Sequence, residues 1–280
     1  MGADEERGFG LVIRPARLLA VDIDGTMLRS DGSLSSRVLD ALARAVDAGI
    51  HVVPATGRPM AVATDVVDAS GLDDFWIFAN GAITRHLGRD ELIRAFWMDR
   101  VVVVELLDRI RRRIPQAKFA VEFATTMAYE AGFETVVPNR PPVPPTVDLS
   151  ADLERVSDPI QKLLVFDDSI DLGRLWDEVN AAADGLSVPS YSGLPFVELA
   201  PERVTKATAL ELLASDLGLS VDDVGAVGDN HNDVAMLEWA GTGYAMGNAD
   251  VAVQASADVV LPSNDDDGLA VLIEAMLDQF

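Results

Sequence analysis

The sequence predicts an α/β protein with a doubly wound, mainly parallel sheet that is interrupted by an inserted α+β cap. Compact apolar runs alternate with helical patterns near the start, the rhythm changes after Gly81, and the first pattern resumes from about Phe196. Strand, helix, strand order is typical of parallel sheets with crossover helices. We therefore expect residues 1–83 and 193–280 to form one core, and residues 84–192 to form the cap.

The first strand is predicted at the apolar run Leu18-Leu19-Ala20-Val21, which is followed at once by Asp22-Ile23-Asp24-Gly25-Thr26. A run this compact indicates a strand buried on both faces. Ligands of open α/β sheets bind outside the carboxyl ends of strands, and alternate residues of an extended segment point the same way. Asp22 and Asp24 can therefore face one site. Because close carboxylates repel unless a cation lies between them, the stretch indicates Mg²⁺ and a reaction at phosphate, the alternative being a turn with surface aspartates.

Two helices, the second set up by Pro59, and two further strands follow in alternation before the cap. Apolar residues recur at helical spacing between a capping serine, Ser35 or Ser36, and Gly49. The next strands are predicted at residues 50–55 and 75–79. Each ends in small polar residues, Thr56-Gly57-Arg58 after the first and Asn80-Gly81 after the second.

The inserted segment mixes strands and helices without glycine-rich strand ends. Strands are predicted at residues 119–123 and 163–166, and helices at residues 102–113 and 172–182. The proline-rich run at residues 138–145 is predicted to be a stiff surface connection. This mixture indicates an α+β insertion with a small core of its own.

The core pattern returns in the last third of the chain. A helix is predicted from Thr205-Lys206 to Leu217, and a strand at residues 224–227 leads into Gly228-Asp229-Asn230-His231-Asn232-Asp233. Short strands at residues 244–248 and 257–261 and a closing helix at residues 267–277 complete the prediction.

Composition narrows the possible partners. The chain has 22 basic and 46 acidic residues and a formal net charge of −24, which argues against nucleic acid and anionic membranes as partners. The basic run Arg109–Arg113 is expected at a helix end, where cations suit the helix dipole. There is no cysteine and no apolar run of the roughly 18 residues that a membrane helix needs, so we expect a cytoplasmic protein.

Polar side chains at four strand or helix ends form a set suited to phosphoryl transfer, which depends on positioning and on neutralising charge. An aspartate nucleophile splits hydrolysis into formation and breakdown of an aspartyl-phosphate, and a second aspartate can protonate the leaving oxygen and then activate water. Taken singly, Thr56 could be a helix cap and Lys206 a solvated lysine, while acids near a helix start favour its dipole. The set comprises Asp22, Asp24, Thr56, Lys206, Asp229 and Asp233.

Taken together, the motifs resemble those of the haloacid dehalogenase superfamily, specifically the Cof-type, subfamily IIB branch of sugar-phosphate phosphatases. The resemblance extends from about residue 17 onward and implies a Rossmann-like core with an inserted cap of the C2B kind. The motifs that carry it, in the family's order, are Asp22-Ile23-Asp24-Gly25-Thr26, Ala55-Thr56-Gly57-Arg58, Asn80-Gly81-Ala82, Lys206 and Gly228-Asp229-Asn230-His231-Asn232-Asp233.

The resemblance assigns a role to each site residue. It implies that Asp22 is the nucleophile and Asp24 the acid/base. The implied phosphate-binding residues are Thr56, Gly57, Lys206 and Asn232, and the implied Mg²⁺ residues are Asp22, Asp24 through its carbonyl, Asp229, and Asp233 in the outer shell or beside Lys206. Two residues depart from the family pattern next to the phosphate site: members often have glycine at the positions of Ala207 and Asn230.

We therefore hypothesise a Mg²⁺-dependent hydrolase of small phosphomonoesters, such as sugar or polyol phosphates, that is a monomer or homodimer. A phosphomutase is one alternative, and it would need basic residues facing the site, for which Lys118, Lys162 and the run Arg109–Arg113 are candidates. A non-enzymatic sensor of a phosphorylated metabolite is another. A dehalogenase is disfavoured because its reaction at carbon has no use for the metal-binding acids.

Overall fold

A computed structural model of the chain describes residues 13–124, 126–136, 146, 149–191 and 194–279. The predicted proline-rich connection at residues 138–145 lies outside the described residues. Within the described part, none of the helices has both the length and the apolar character needed to cross a bilayer.

The predicted helices and strands occur in the predicted order, and further elements lie between them. The helices are α1 (Ser36–Asp47), α2 (Met60–Ser70), α3 (Arg100–Arg113), α4 (Leu149–Arg155), α5 (Leu172–Ala183), α6 (Lys206–Asp216), α7 (Val234–Trp239), α8 (Val251–Gln254) and α9 (Gly268–Leu277). The strands are β1 (Leu18–Val21), β2 (His51–Pro54), β3 (Phe75–Phe78), β4 (Ile83–His86), β5 (Glu91–Ala95), β6 (Lys118–Phe123), β7 (Met127–Tyr129), β8 (Ile160–Phe166), β9 (Val188–Ser190), β10 (Val197–Ala200), β11 (Val224–Gly228), β12 (Thr242–Ala245) and β13 (Val259–Val260).

The central sheet is parallel and has the order β13-β12-β11-β1-β2. All four residues of β1 are buried, because helices cover both faces of the sheet. On one face, Leu42 of α1 and Ile273 of α9 share a core with Leu19, and on the other Leu210 of α6 and Met236 of α7 share a core with Ala20. This arrangement confirms the predicted α/β fold class, and it brings the carboxyl ends of β2, β1 and β11 side by side.

Strand β3 lies beside the end of β2 but pairs mainly elsewhere. The two strands are joined by a parallel bridge between Ala55 and Ile77, while β3 forms an antiparallel three-stranded sheet with β4 and β5. The chain reverses at Asn80, which has left-handed backbone angles of φ 56° and ψ 31°. Asparagine tolerates this conformation better than most residues, so the predicted polar strand end is also the turning point.

The second sheet is antiparallel, with the order β7-β6-β8-β10-β9. One of its faces packs against α3 and α5, whose Leu107 and Leu175 belong to the same core as Leu163 and Val165. Strand β10 belongs to this sheet although the sequence analysis groups everything after residue 192 with the core. The sheet therefore extends past that point, and the domain boundaries stay a prediction.

Alanine substitutions at Gly81 and Gly49 separate steric cost from backbone strain. Both residues have positive φ, but a Cβ on Gly81 would lie 2.2 Å from the carbonyl oxygen of Thr205, whereas a Cβ on Gly49 would meet nothing within 4 Å. We expect Gly49→Ala to lower the free energy of unfolding by about 1 kcal/mol through strain alone. Gly81→Ala should cost about 1–3 kcal/mol more, because backbone atoms must shift. Urea unfolding measures both, and equal losses would contradict the close contact between Gly81 and Thr205.

Candidate active site

The site lies where three parallel strands end. Asp22 follows β1 and donates its backbone N–H to the carbonyl oxygen of Val227, 2.9 Å away on β11. One residue separates Thr56 from the end of β2, and Asp229 comes directly after β11. Because β1 lies between β2 and β11, side chains from distant parts of the sequence converge here as predicted.

A buried ammonium group holds two of the acids. Lys206 is the first residue of α6, which is capped by the side chain of Thr205. Its Nζ donates to Asp22 and, at 2.6 Å, to Oδ1 of Asp233. The lysine is only 1% exposed, so the alternative of a solvated first-turn lysine is wrong.

The acids form a compact cluster. One carboxylate oxygen from each of Asp22, Asp229 and Asp233 lies within 4.8 Å of the others. Thr26 donates its hydroxyl to Oδ1 of Asp229 at 2.9 Å. Asp233 uses its second oxygen to accept the backbone N–H groups of Asp229 and Asn230, at 3.1 and 3.0 Å. Asp233 is thus committed to the protein on both oxygens, whereas Asp22 and Asp229 retain more acceptor capacity for a cation.

Burial and crowding disturb the ionisation of this cluster. Burial, reinforced by Asp233, raises the pKa of Asp22 well above its usual range, although Lys206 opposes the shift. Burial and the same neighbour raise the pKa of Asp229 to about 6. Burial disfavours the charged form of Lys206, but Asp22 and Asp233 outweigh it and raise the pKa of the ammonium. Burial and crowding thus disfavour the ionised forms of Asp22 and Asp229, and a divalent cation with a preference for oxygen ligands would stabilise them. The donor set therefore fits Mg²⁺.

The carboxylate of Asp24 is not part of this cluster. Two nitrogens of Arg58 donate to it: Nε donates to Oδ2 at 2.8 Å, and a terminal nitrogen donates to Oδ1. The side chain of Asp24 is 52% exposed, in contrast to buried Asp22. The sequence analysis expects Asp22 and Asp24 to face one site and gives Arg58 no role, although Arg58 stands inside the quoted Thr56-Gly57-Arg58 motif.

The other predicted phosphate-binding residues, Thr56, Gly57 and Asn232, each have a hydrogen-bond partner of their own. Thr56 is fully buried and accepts the backbone N–H of Arg58 at 3.0 Å, but α2 begins after Pro59, so Thr56 is not a helix cap. The carbonyl oxygen of Gly57 accepts Lys162 Nζ at 2.7 Å. Asn232 donates its side-chain amide to Oδ1 of Asn80 at 3.0 Å.

Two aromatic residues contact His231 of the acidic loop. The ring of His231 stacks on Tyr191, with centroids 4.9 Å apart, and meets the edge of Trp176 at 5.2 Å. Beside this contact a cavity of about 210 Å³ reaches from β9 to Lys206 and Asn232. The sequence analysis assigns no role to Tyr191 or Trp176, since nothing in the local pattern links them to the acidic loop.

The geometry agrees with the chain's similarity to known proteins. A family model described as haloacid dehalogenase-like hydrolase matches residues 19–273. The pyridoxal phosphate phosphatase YbhA of Escherichia coli is 30% identical over 93% of this chain and 98% of its own length. A phosphoglycolate phosphatase of Halobacterium salinarum is 30% identical over 91% and 95%. The solved structure of BT1666 from Bacteroides thetaiotaomicron, from work on phosphatases of the haloalkanoate superfamily, is 29% identical, with a TM-score of 0.78 and coverage of 96% and 98%.

We expect Mg²⁺ to stabilise the folded chain through the acid cluster. Thermal unfolding should shift upward by about 5 °C at a Mg²⁺ concentration of roughly 100 times Kd, because the cation relieves repulsion that exists only when the acids are brought together. Asp229→Asn should lose most of this shift, whereas Asp47→Asn, an exposed acid at the end of α1, should keep it. An undiminished shift in Asp229→Asn would show that Mg²⁺ binds elsewhere.

Proposed function

The chain belongs to the haloacid dehalogenase-like hydrolases and is a phosphatase of that family. We propose that it hydrolyses small phosphomonoesters with Mg²⁺ and that the reaction passes through an aspartyl-phosphate. The observation that carries the proposal is the buried Lys206, whose ammonium contacts Asp22 and Asp233 beside Asp229. This arrangement offers a nucleophilic carboxylate, a fixed cation for the phosphoryl oxygens and a metal-binding acid within one small volume.

The proposed reaction begins at Asp22. An oxygen of Asp22 forms a bond to phosphorus as the bond to the ester oxygen breaks, and Asp24 gives a proton to the departing oxygen. Asp24 then takes a proton from the water that attacks phosphorus, which releases phosphate and restores Asp22. Mg²⁺, held by Asp22, Asp229 and the carbonyl of Asp24, would supply positive charge to the phosphoryl oxygens.

The surroundings of the two catalytic acids suit their different roles. Asp22 is buried and held by Lys206, so its attacking oxygen has little freedom and little water around it. Asp24 is half exposed, so it can exchange protons with solvent between steps. Arg58 donates to both oxygens of the Asp24 carboxylate, so one of these contacts must open before Asp24 can carry and donate a proton. Thr56, Gly57, Lys206 and Asn232 are proposed to hold the phosphate.

The ion pairs of the cap argue against a phosphomutase. That reaction would need free cations for a second phosphate. Lys162 is instead buried against Glu198, and Lys118 lies 3.1 Å from Asp168. In the basic run, Arg109, Arg111 and Arg113 pair with Glu105, Glu130 and Glu178 respectively. Because acids already neutralise these side chains, simple hydrolysis is the better supported reaction.

The substrate class rests on the family resemblance rather than on a contact. The two relatives are named for pyridoxal phosphate and for phosphoglycolate, so similarity at 30% does not select one substrate. We propose sugar or polyol phosphates as the first class to test, and a cytoplasmic monomer or homodimer as the working form.

A phosphatase panel tests the proposal directly. Sugar phosphates, nucleotides and cofactor phosphates are assayed with Mg²⁺ and with chelator, and we expect turnover of some members only with Mg²⁺. Asp22→Asn, which keeps the shape of the side chain, should lower kcat by at least about 10³-fold, as removal of a nucleophile does in other enzymes. Full turnover by that variant would remove the nucleophile assignment. No turnover by the wild type across the panel would favour the sensor.

Asp24→Asn should distinguish substrates by their leaving groups. A sugar phosphate needs a proton on its departing oxygen, so we expect about a 10²–10⁴-fold loss in its rate of bond cleavage. Cleavage of p-nitrophenyl phosphate needs no such proton, but breakdown of the aspartyl-phosphate still needs the base. Rapid-quench measurements should therefore show a burst of p-nitrophenol followed by slow turnover. A similar loss in the burst rate and in sugar phosphate cleavage would contradict the acid role.

A further inference from the structure

The second sheet contains a buried ion pair that the proposed reaction does not use. Lys162 on β8 and Glu198 on β10 are 1% and 4% exposed, and Lys162 Nζ contacts Oε2 of Glu198. Glu198 lies opposite Leu164 in the antiparallel register, so the two charged residues are diagonal neighbours on one face. Well-packed apolar residues often replace such a pair at no loss of stability. Stability alone is therefore a weak reason for its presence.

Each member of the pair has a second partner outside the second sheet. Lys162 Nζ also donates to the carbonyl oxygen of Gly57, 2.7 Å away in the loop after β2. Oε2 of Glu198 also accepts the side-chain amide of Asn80, at 2.9 Å. The same amide group lies 3.1 Å from Oγ of Ser190 on β9. The pair thus connects the second sheet to two loops of the proposed active site.

The bonds continue from Asn80 to the acidic loop. Oδ1 of Asn80 accepts the amide of Asn232 at 3.0 Å, and the backbone N–H of Asn80 donates to the carbonyl oxygen of Thr56 at 2.9 Å. The left-handed backbone of Asn80 directs main chain and side chain to these different partners. A continuous set of hydrogen bonds therefore runs from Gly57 through Lys162, Glu198 and Asn80 to Asn232.

We propose that Lys162 and Glu198 are positioning residues, which fix the peptide at Gly57 and, through Asn80, the amide of Asn232 around the phosphate. The inference rests on the proposed function, because Gly57 and Asn232 are the residues expected to hold phosphate. Groups held in place before the substrate arrives need no reorganisation during the reaction, and a displacement of about 1 Å can cost on the order of 10²-fold in rate. Through the ion pair, the position of the second sheet determines the positions of Gly57 and Asn232 in the proposed phosphate site.

Paired substitutions test the proposal without leaving a buried charge alone. Lys162→Met/Glu198→Leu removes both connections together, so that neither member of the pair is left as a lone buried charge. We expect its kcat to fall by about 10²-fold, mostly without a change in KM, and its affinity for inorganic phosphate to weaken in calorimetry with Mg²⁺ present. Lys162→Met/Glu198→Gln keeps an acceptor for Asn80 and should recover part of both losses.

A second double variant serves as the control for the positioning role. Arg37→Met/Glu274→Gln removes an ion pair between α1 and α9, away from the site, and should leave kcat, KM and phosphate affinity unchanged. If Lys162→Met/Glu198→Leu unfolds at the wild-type temperature and also keeps wild-type kcat and phosphate affinity, the positioning role is overturned. If Lys162→Met/Glu198→Leu instead raises KM alone, with phosphate affinity intact, Lys162 contacts the substrate and the proposal is also overturned. If the wild type turns over no substrate, the proposed function fails, while phosphate affinity still tests the positioning.

Discussion

The rest of the site depends on the contact of the buried Lys206 ammonium with Asp22 and Asp233. Without it, Asp22 and Asp233 would bring two carboxylates together with little water to solvate them, a cost that would drive them apart or protonate them. With it, Asp22 is held next to Asp233 and Asp229 at the carboxyl edge of the sheet. The lysine can reach both acids because Thr205 starts α6 beside the carboxyl edge of the parallel sheet, close against Gly81. The position of α6 therefore allows the contacts of Lys206 with the two acids, and these contacts in turn hold α6 at the edge of the sheet.

The sequence was sufficient to predict the parallel core, because its strands are short apolar runs that each end in polar residues. The same logic brought together Asp22, Lys206, Asp229 and Asp233, since the carboxyl ends of adjacent parallel strands share one edge. The carboxylate of Asp24 lies outside that acid cluster and pairs with Arg58, a partner to which the sequence analysis gives no role. Alternation along an extended segment gives the direction of a side chain, but it does not reveal which distant cation will compete for it.

The ion pair between Lys162 and Glu198 marks a different limit. Each residue is the only charged one in its stretch, Ile160-Gln161-Lys162-Leu163-Leu164 and Val197-Glu198-Leu199, and a single charge in a buried strand implies a buried partner. The sequence could thus have indicated that these charges pair. Which strands lie side by side, and that the pair reaches Gly57 and Asn80, depends on the order of an antiparallel sheet that local patterns do not determine.

The departures from the family pattern show that backbone conformation, rather than the residue types of a motif, indicates where glycine is required. Asn230 stands where relatives often have glycine, yet its backbone is extended, with φ −123° and ψ 169°, so no glycine is required. Its side chain instead accepts the backbone N–H of His231 at 2.8 Å and so stabilises the turn. Gly25, by contrast, has a φ of +84°, and a Cβ there would lie 2.3 Å from Oδ2 of Asp229. Glycine is thus indispensable where the first motif contacts the acid from the other end of the chain, and replaceable where the loop only turns.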